Sequence, residues 1–333
     1  MRNAVIRIAI TLMALWVTAA AVAEPGRTVR LPGDVTLEMT WIPAGSFIIG
    51  SPDKEAPRRA DEGPQTTVTL SRGFWLGRTH VTIAQWQSVM ATAVRGQLLK
   101  FINDDALYEL GGRRQTRRDY MRFSLEHLSD YLAGETDDLP MYFVSWEDAR
   151  EFCRRLTALE RAAGRLPKGY EFDLPTEAQW EYAARAGARG ANYSSLDATA
   201  WYGANSAQGY VGKGFAVEGG ATGGPRAVAS KAPDKLGLYD MAGNVWQWCR
   251  DWYAPYPGGK LIDPLGPSTG TMRVNRGGSF GSSAADERPA SRAANPPMEA
   301  SAYRGFRLAL VASQLTRKVY SSSTPTNIDR PTY

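Results

Sequence analysis

The residue types that could support chemistry are concentrated in one Gly- and Ala-rich segment, 273–307, near the C-terminal end of the chain. Ser279 and Ser282 supply two hydroxyls there, and Glu287 supplies a carboxyl that could act as a general acid or base beside them. Arg288 and Arg292 could bind a carboxylate or a backbone carbonyl of a ligand, or could instead be buried partners of Asp or Glu. The segment therefore predicts a catalytic site or a ligand-binding surface.

Three helix starts precede this segment and could position it. Thr82, Ser145 and Thr176 each open an apolar run with helical spacing. The Ser145 hydroxyl can accept the free amide of Asp148, and Gln179 follows Thr176 at the distance that a capping box requires. We predict that the apolar faces of these helices lie in the core. Gly and Pro punctuation predicts short strands at 37–43, 45–50, 66–70 and 74–76.

Two other regions are less regular. Residues 92–138 have the character of an insertion, and their second part predicts an amphipathic helix from Thr116 to Leu132. Beyond Gly187 the periodicity disappears, and the abundance of Gly, Pro and Trp predicts a compact region with little regular secondary structure. Residues 316–333 are predicted to form a loose tail.

The N-terminal segment predicts export. Arg2 and Arg7 precede an apolar run that ends in the small-residue sequence Ala-Val-Ala, which is the pattern of a cleavable secretory signal at 1–23. A transmembrane anchor is disfavoured because the run is short for a bilayer span. Cleavage would leave a periplasmic or secreted domain at 24–315, with no further segment apolar enough to span a membrane. The formal charge of +5, from 39 basic and 34 acidic residues, is spread along the chain and predicts no nucleic-acid partner.

Cys153 and Cys249 are the two cysteines of the chain. In a chain that passes through an oxidising compartment they could form a disulfide. Each lies in an apolar, aromatic run, however, and this favours two separately buried thiols. We therefore predict that the two sulfurs are not bonded to each other.

The order of sequence landmarks from 36 to 309 resembles that of the formylglycine-generating enzyme, or sulfatase-modifying factor, family. The landmarks are IPAGSFIIGS, LGRTHVTIAQWQSVM, LPMYFVSWEDAREFCRRL, FDLPTEAQWEYAARAG, GLYDMAGNVWQWCRDWY, RVNRGGSF and YRGFRLA. The resemblance implies an α+β domain, the formylglycine-generating-enzyme variant of the C-type lectin fold, which is irregular and loop-rich with short antiparallel strands and a few helices. Such a fold does not by itself assign a reaction.

The resemblance also indicates which chemistry is missing. Family members carry two cysteines five positions apart after the Arg-Gly-Gly-Ser-aromatic turn, and these cysteines hold copper(I); here the two positions are Ser282 and Glu287. Copper(I) prefers soft thiolates, so a hydroxyl and a carboxylate disfavour copper and the formylglycine-generating oxidation. Related sulfoxide synthases hold iron with three histidines, whereas this chain has two, His80 and His127, which we predict to be surface or helix-capping residues.

A calcium site is implied by the family pattern at GLYDMAGNVWQW. The implied ligands are the side chains of Asp240 and Gln247 and the backbone carbonyls of Gly243 and Val245, and oxygen atoms from one tight turn suit calcium. Gln247 replaces the usual Glu, which removes a negative charge and should weaken binding. Asn205 resembles a ligand of the family's second calcium site. The alternative is that Asp240 serves only to form the turn.

From these residues we expect an exported family member without copper-thiolate chemistry, which binds a peptide or an envelope protein as an accessory factor. The expected surface is the groove around Phe280, Arg288 and Arg292, where family members lay an extended peptide. The alternative is a periplasmic tailoring enzyme that oxidises or matures a peptide or siderophore, similar to the pyoverdine-maturation proteins, with Glu287 as its acid or base. A partner-docking protein of an envelope assembly would use residues 92–138 instead.

Overall fold

The computed structural model describes residues 26–313, except 111, 123–125, 127, 133, 187–194 and 212–213. The predicted signal, the predicted tail and His127 therefore lie outside the described residues. Within the described ranges, no helix is long and apolar enough to cross a membrane.

The secondary structure of the described residues is a mixture of short strands and six α-helices. The strands are β1 (Arg27–Arg30), β2 (Thr36–Ile42), β3 (Gly45–Ile49), β4 (Thr66–Leu70), β5 (Phe74–Gly77), β6 (Tyr108–Leu110), β7 (Arg113–Gln115), β8 (Tyr170–Asp173), β9 (Phe215–Ala216), β10 (Thr222–Gly223), β11 (Trp246–Trp252), β12 (Lys260–Ile262), β13 (Arg273–Arg276), β14 (Arg292–Asn295), β15 (Arg304–Phe306) and β16 (Ala309–Ala312). The helices are α1 (Ile83–Met90), α2 (Val94–Ile102), α3 (Arg117–Met121), α4 (Trp146–Ala162), α5 (Glu177–Arg185) and α6 (Leu196–Thr199).

Three larger sheets organise the described part of the chain. The five-stranded sheet has the order β1-β2-β5-β16-β8 and is antiparallel throughout. The four-stranded sheet, β14-β13-β11-β15, contains the parallel pair β11–β15, and the three-stranded sheet, β12-β4-β3, contains the parallel pair β12–β4. Two short ribbons, β6–β7 and β9–β10, complete the set. This irregular α+β arrangement of short, mostly antiparallel strands confirms the predicted fold class.

The predicted helix starts at Thr82, Ser145 and Thr176 are confirmed as the N-caps of α1, α4 and α5. In each capping box the hydroxyl accepts the backbone amide three residues further on, at 3.1 to 3.3 Å. The four predicted strands are β2, β3, β4 and β5, displaced by one residue at most. These elements are specified by local sequence and so could be predicted.

The helix predicted from Thr116 to Leu132 is wrong in its length. Thr116 does cap α3, but the helix ends after five residues because Arg122 adopts the left-handed conformation, with φ 55°. A short 3-10 turn follows at Leu128–Tyr131. Met121 and Leu128 reach the same apolar core from two separate segments, so a continuous amphipathic helix is not needed to bury them.

The five-stranded sheet buries side chains on both of its faces, because successive side chains of a strand point to opposite faces. In β16, Leu310 packs in the cluster that contains Trp86 of α1 and Phe152 of α4. Its neighbour Val311 packs in the second cluster, which contains Trp180 of α5. The core therefore has two halves that share one sheet, and in the second half α5 contacts β3 of the three-stranded sheet and β11 and β13 of the four-stranded sheet.

Both cysteines are buried and free, as the sequence predicts. Cys153 belongs to the core half around α4, and Cys249 belongs to the half around α5. Burial raises the pKa of each thiol well above its ordinary value. Neither thiol is therefore ionised at neutral pH.

Candidate functional site

Segment 277–291, which joins β13 to β14, carries the residues with predicted chemistry. Arg276, the last residue of β13, fixes the far end of this segment because its guanidinium donates to the three backbone carbonyls at 289–291, at 2.7 to 3.2 Å. The same guanidinium forms a fully buried ion pair with Glu181 of α5. The loop is thus clamped from inside the core.

Arg288 and Arg292, the predicted ligand-binding arginines, are both buried in ion pairs. Arg288 contacts both carboxylate oxygens of Glu62, and its Nη1 lies 2.9 Å from Oε1 of Glu55. Arg292 donates two hydrogen bonds to Glu177, at 2.6 and 2.9 Å. Burial disfavours the charged guanidiniums, but the paired carboxylates outweigh it and raise the pKa of both arginines. The structure therefore matches the buried-partner alternative that the sequence left open.

Ser279 and Ser282 face each other across a tight turn. Their Oγ atoms lie 2.9 Å apart, and the backbone amide of Ser279 donates to Oγ of Ser282 at 3.1 Å. Ser279 is buried and Ser282 is partly exposed. The turn rests on the preceding Gly277 and Gly278, which have φ of 97° and 72°, a region that favours glycine. The two hydroxyls therefore hold the turn together, and only that of Ser282 borders the surface.

Glu287 lies beneath the same turn as a buried carboxyl. It is 1% exposed, and neither of its oxygens has a hydrogen-bond partner among the described residues. A side chain at Gly278 would overlap this carboxyl, so the glycine is needed for the close approach. Burial, with a smaller contribution from Asp286, raises the pKa of Glu287 well above its ordinary value, although the nearby amides of Gly243 and Ser279 oppose the shift. Burial therefore favours the neutral carboxylic acid form of Glu287.

This donor set does not fit copper(I). Soft thiolates select copper(I), whereas the two positions here hold a turn-forming hydroxyl of Ser282 and the carboxyl of Glu287, whose pKa burial raises. Cys153 and Cys249 are buried in separate halves of the core and belong to other segments of the chain. The structure thus brings Ser279, Ser282 and Glu287 together but supplies no thiol to them.

Phe280, predicted as a ligand-binding residue, is fully buried. Its ring stacks on Tyr303 with centroids 4.7 Å apart, and Phe215 lies 5.9 Å from it. Tyr303 and Phe215 are themselves partly exposed. The aromatic surface beside Ser282 is therefore formed by residues that the sequence analysis did not single out, because they come from two distant segments.

The turn that was predicted to hold calcium is satisfied by protein groups. Oε1 of Gln247 accepts hydrogen bonds from Trp180 Nε1 at 2.8 Å and from Arg307 Nε at 2.9 Å. Nε2 of Gln247 donates to the backbone carbonyl of Asp240 at 2.9 Å. The amide oxygen of Gln247 therefore faces an arginine cation.

His80 contacts the same turn, and the prediction that it is a surface or helix-capping residue is wrong. It is fully buried, and its Nε2 lies 2.9 Å from the backbone carbonyl of Val245. Burial, followed by the charge of Arg307, lowers the pKa of His80 well below its ordinary value. A neutral imidazole must carry its proton on Nε2 to donate to this carbonyl. The carbonyl of Val245 is thus taken by a side-chain donor.

The remaining predicted calcium ligands do not restore a site. Oδ2 of Asp240 accepts the amide of Ala229 at 2.8 Å, while Oδ1 is buried without a hydrogen-bond partner, and burial raises the pKa of Asp240 to about 6. Asn205 donates to the carbonyl of Ala200 and accepts the amide of Tyr202, so it stabilises its own turn. Among the described residues no group of three His, Cys, Asp or Glu could hold a metal. The carbonyl of Val245 and the amide oxygen of Gln247 are already occupied by protein donors, one of them a guanidinium, so the set of Asp240, Gly243, Val245 and Gln247 fits calcium poorly.

Comparison with known proteins identifies relatives across nearly the whole chain. The family model described as the sulfatase-modifying factor enzyme 1-like domain matches residues 28–312. The formylglycine-generating enzyme of Streptomyces coelicolor is 33% identical and covers 87% of this chain and 94% of its own length. A Mus musculus protein named inactive C-alpha-formylglycine-generating enzyme 2 is 34% identical over 83% of this chain and 86% of its own length. Among solved structures, Treponema denticola variable protein 1 matches with a TM-score of 0.60 and 27% identity, covering 85% of this chain and 98% of its own.

Proposed function

We propose that this chain, which belongs to the sulfatase-modifying factor enzyme 1-like family, is a binding member of that family rather than a copper oxidase. It acts as an exported accessory factor that holds an extended peptide or an envelope protein partner. The export signal at 1–23 supports a periplasmic or secreted location. A mammalian relative named as inactive supports the view that the family includes members without the oxidation.

The observation that carries the proposal is the state of Ser282 and Glu287. The Ser282 hydroxyl stabilises the turn through Ser279, and the Glu287 carboxyl is 1% exposed, which raises its pKa and favours its neutral form. Neither group can replace a copper-binding thiolate. The loop that carries them nevertheless keeps a fixed shape, because buried ion pairs hold it. A rigid loop without the reactive pair is suited to binding.

The partly exposed rings of Tyr303 and Phe215 form the surface beside Ser282 that a peptide would contact. They pack on the buried ring of Phe280, so they present a pre-organised aromatic face. Aromatic side chains contribute large contact area at a low entropy cost, which makes them frequent anchors at interfaces. The partner class is therefore an extended segment with apolar side chains.

The test combines binding and turnover on the purified full chain. A library of fluorescent extended peptides, including the Cys-x-Pro-x-Arg sulfatase motif, is titrated by fluorescence anisotropy, and the sulfatase peptide is analysed by mass spectrometry after incubation with copper and oxygen. We expect bound peptides to lose affinity by about tenfold in Tyr303→Ala, which removes one anchor. Tyr170→Ala, a partly exposed tyrosine of β8 in another sheet, is the matched control and should bind as the original chain does. Aldehyde formation on the sulfatase peptide would overturn the proposal.

A tailoring enzyme is the second candidate, and the orphaned carboxyl of Glu287 is the observation that favours it. A protonated carboxyl with unsatisfied oxygens is what a general acid requires. Its burial opposes this role, because a substrate cannot reach an acid that is 1% exposed without movement of the turn. Glu287→Gln separates the two candidates: peptide binding persists in an accessory factor, whereas conversion of a bound peptide, followed by mass, is lost in a tailoring enzyme.

A further inference from the structure

A cavity of about 360 Å³ lies between the three-stranded sheet, the start of α5 and the segment 254–267. This size is within the range of small-molecule pockets, roughly 300–1,000 Å³. Its walls are mostly apolar, with Ile49 and Val68 on the sheet side and Leu261 on β12. Four prolines of the 254–267 segment also line it, namely Pro255, Pro257, Pro264 and Pro267. Flat, rigid walls of this kind suit a ring or a compact apolar body.

The arginine beside the cavity already uses most of its hydrogen-bonding capacity, since four of its five N–H groups donate to protein oxygens. Arg292 donates Nε and Nη2 to Glu177, Nη1 to the carbonyl of Asp61 at 2.9 Å and Nη2 also to the carbonyl of Ala254 at 3.0 Å. Glu177 also accepts the hydroxyl of Tyr256 at 3.1 Å. The Arg292–Glu177 pair is therefore a charge-balanced part of the wall.

Asp251 is the charged group of the cavity that this network leaves unpaired. It is 5% exposed, it lines the cavity, and its Oδ2 accepts the backbone amide of Glu177 at 2.8 Å. Among the described residues it has no ion pair, and no side-chain donor meets its Oδ1. Burial and the charge of Glu177 raise the pKa of Asp251 to about 7, although the charges of Arg250 and Arg292 oppose the shift. A buried carboxyl at an apolar cavity, with one oxygen that no side-chain donor meets, can accept a hydrogen bond from a ligand.

We propose that this cavity is a second ligand site, which binds a small apolar amine whose ammonium group donates to Asp251. The ring or alkyl body of the ligand contacts the proline and aliphatic walls, and its positive charge is neutralised by the carboxylate. An anion of the same size is disfavoured, because the Asp251 carboxylate would repel it and Glu177 already balances the charge of Arg292. The site is separate from the 277–282 turn and does not depend on the proposed peptide binding.

The probes are 2-phenylethylamine and 3-phenylpropionate, which share a ring and a short chain but carry opposite charges. Their dissociation constants for the full chain are measured by isothermal titration calorimetry at pH 8. A charge-assisted hydrogen bond contributes about 1.5–3 kcal/mol, so we expect the amine to bind at least about tenfold more tightly than the acid. Equal affinities, or binding of neither probe at millimolar concentration, would refute the proposal.

Three variants locate the binding. Asp251→Asn keeps an oxygen for the amide of Glu177 and should lower the affinity for the amine by about tenfold or more. Asp263→Asn, at a partly exposed aspartate directly after β12, is the matched control and should not change it. Leu261→Trp fills the cavity from a partly exposed position and should abolish binding of the amine while circular dichroism shows a folded chain. Undiminished affinity in Asp251→Asn or in Leu261→Trp would place the amine elsewhere and overturn the assignment.

Discussion

At the scale of residues, three buried arginines explain how the 277–291 loop keeps its shape without a metal-binding thiol pair. Arg276, Arg288 and Arg292 are each 1% exposed or less, and each pairs with at least one carboxylate. Removing one partner of a buried ion pair typically costs about 3–5 kcal/mol, because the other charge is left uncompensated. Arg288 and Arg292, which were predicted as ligand contacts, therefore stabilise the loop from inside the protein.

The unpaired Asp251 predicts an unusual dependence of stability on pH. Burial and the charge of Glu177 raise the pKa of Asp251 from its ordinary value of 3.8 to about 7 in the folded chain, and the charges of Arg250 and Arg292 do not outweigh them. Between these values the folded state holds a proton that the unfolded state has released. The contribution of this group to the free energy of unfolding is therefore largest at low pH. It falls, by about 1.4 kcal/mol per pH unit at most, as the pH rises towards 7.

Replacement by an amide that does not titrate should remove this fall. We expect the melting temperature of Asp251→Asn, measured between pH 5 and pH 8, to rise relative to that of the original chain as the pH increases. Asp53→Asn is the control, because the side chain of Asp53 is 91% exposed. A difference between Asp251→Asn and the original chain that does not vary with pH would show that Asp251 is ionised throughout this range.

The limits of prediction at this scale follow from distance along the chain. Ser279, Ser282 and Glu287 lie close together in the structure, as their short separation in the sequence suggests. The partner of Arg288 could not be read from the sequence, since Glu62 lies 226 positions away. His80 was misassigned for the same reason, because its acceptor is 165 positions away. Local capping chemistry is visible in a sequence, whereas long-range pairing of buried charges is not.

At the scale of elements, the N-cap of α4 connects the longest described helix to α2. Oγ of Ser145 accepts the amide of Asp148 at 3.1 Å and lies 2.5 Å from Oδ2 of the same residue. The Asp148 carboxylate also accepts Gln97 and Lys100 of α2, at 2.8 and 2.6 Å. One capping serine therefore orders a carboxylate that joins two helices.

Ser145→Ala should destabilise the chain by about 1–2 kcal/mol, since the amide of Asp148 loses its acceptor and the buried carboxylate loses a donor. For a domain of this size the melting temperature should fall by about 2–8 °C, measured by calorimetry. Ser195→Ala is the matched control, because Ser195 precedes α6 without making a side-chain cap hydrogen bond. Equal effects of the two substitutions would mean that the α4 cap contributes nothing specific.

The elements that could be predicted are those specified by neighbouring residues, and those that were missed depend on pairing between distant segments. The helices α1, α4 and α5 begin where their caps predict, because a cap is defined by three or four neighbouring positions. The four-stranded sheet was missed, because β11 pairs with β13 and β15 across loops that contain no periodic pattern. The α3 helix was predicted too long, since the left-handed residue that ends it has no signature of its own.

At the scale of the whole molecule, Arg307 is a junction between distant parts of the chain. Its Nη1 donates to the carbonyl of Gly77 and its Nη2 to that of Tyr239, both at 2.6 Å, while its Nε donates to Gln247 at 2.9 Å. These acceptors come from β5, from the turn at 239–240 and from β11. A fixed positive charge inside the chain thus joins the five-stranded and four-stranded sheets, and it faces the turn at which calcium was predicted.

The stability of the chain should therefore be independent of calcium. A ligand present at 100 times its dissociation constant stabilises a fold by about 2.7 kcal/mol, which corresponds to roughly 5–11 °C for a domain of this size. We expect the melting temperature in millimolar calcium chloride to agree within about 1 °C with that in EDTA, with magnesium chloride at equal ionic strength as the control. A calcium-specific rise of several degrees would mean that Asp240 and Gln247 exchange their internal donors for the ion, and that the guanidinium of Arg307 moves away to admit it.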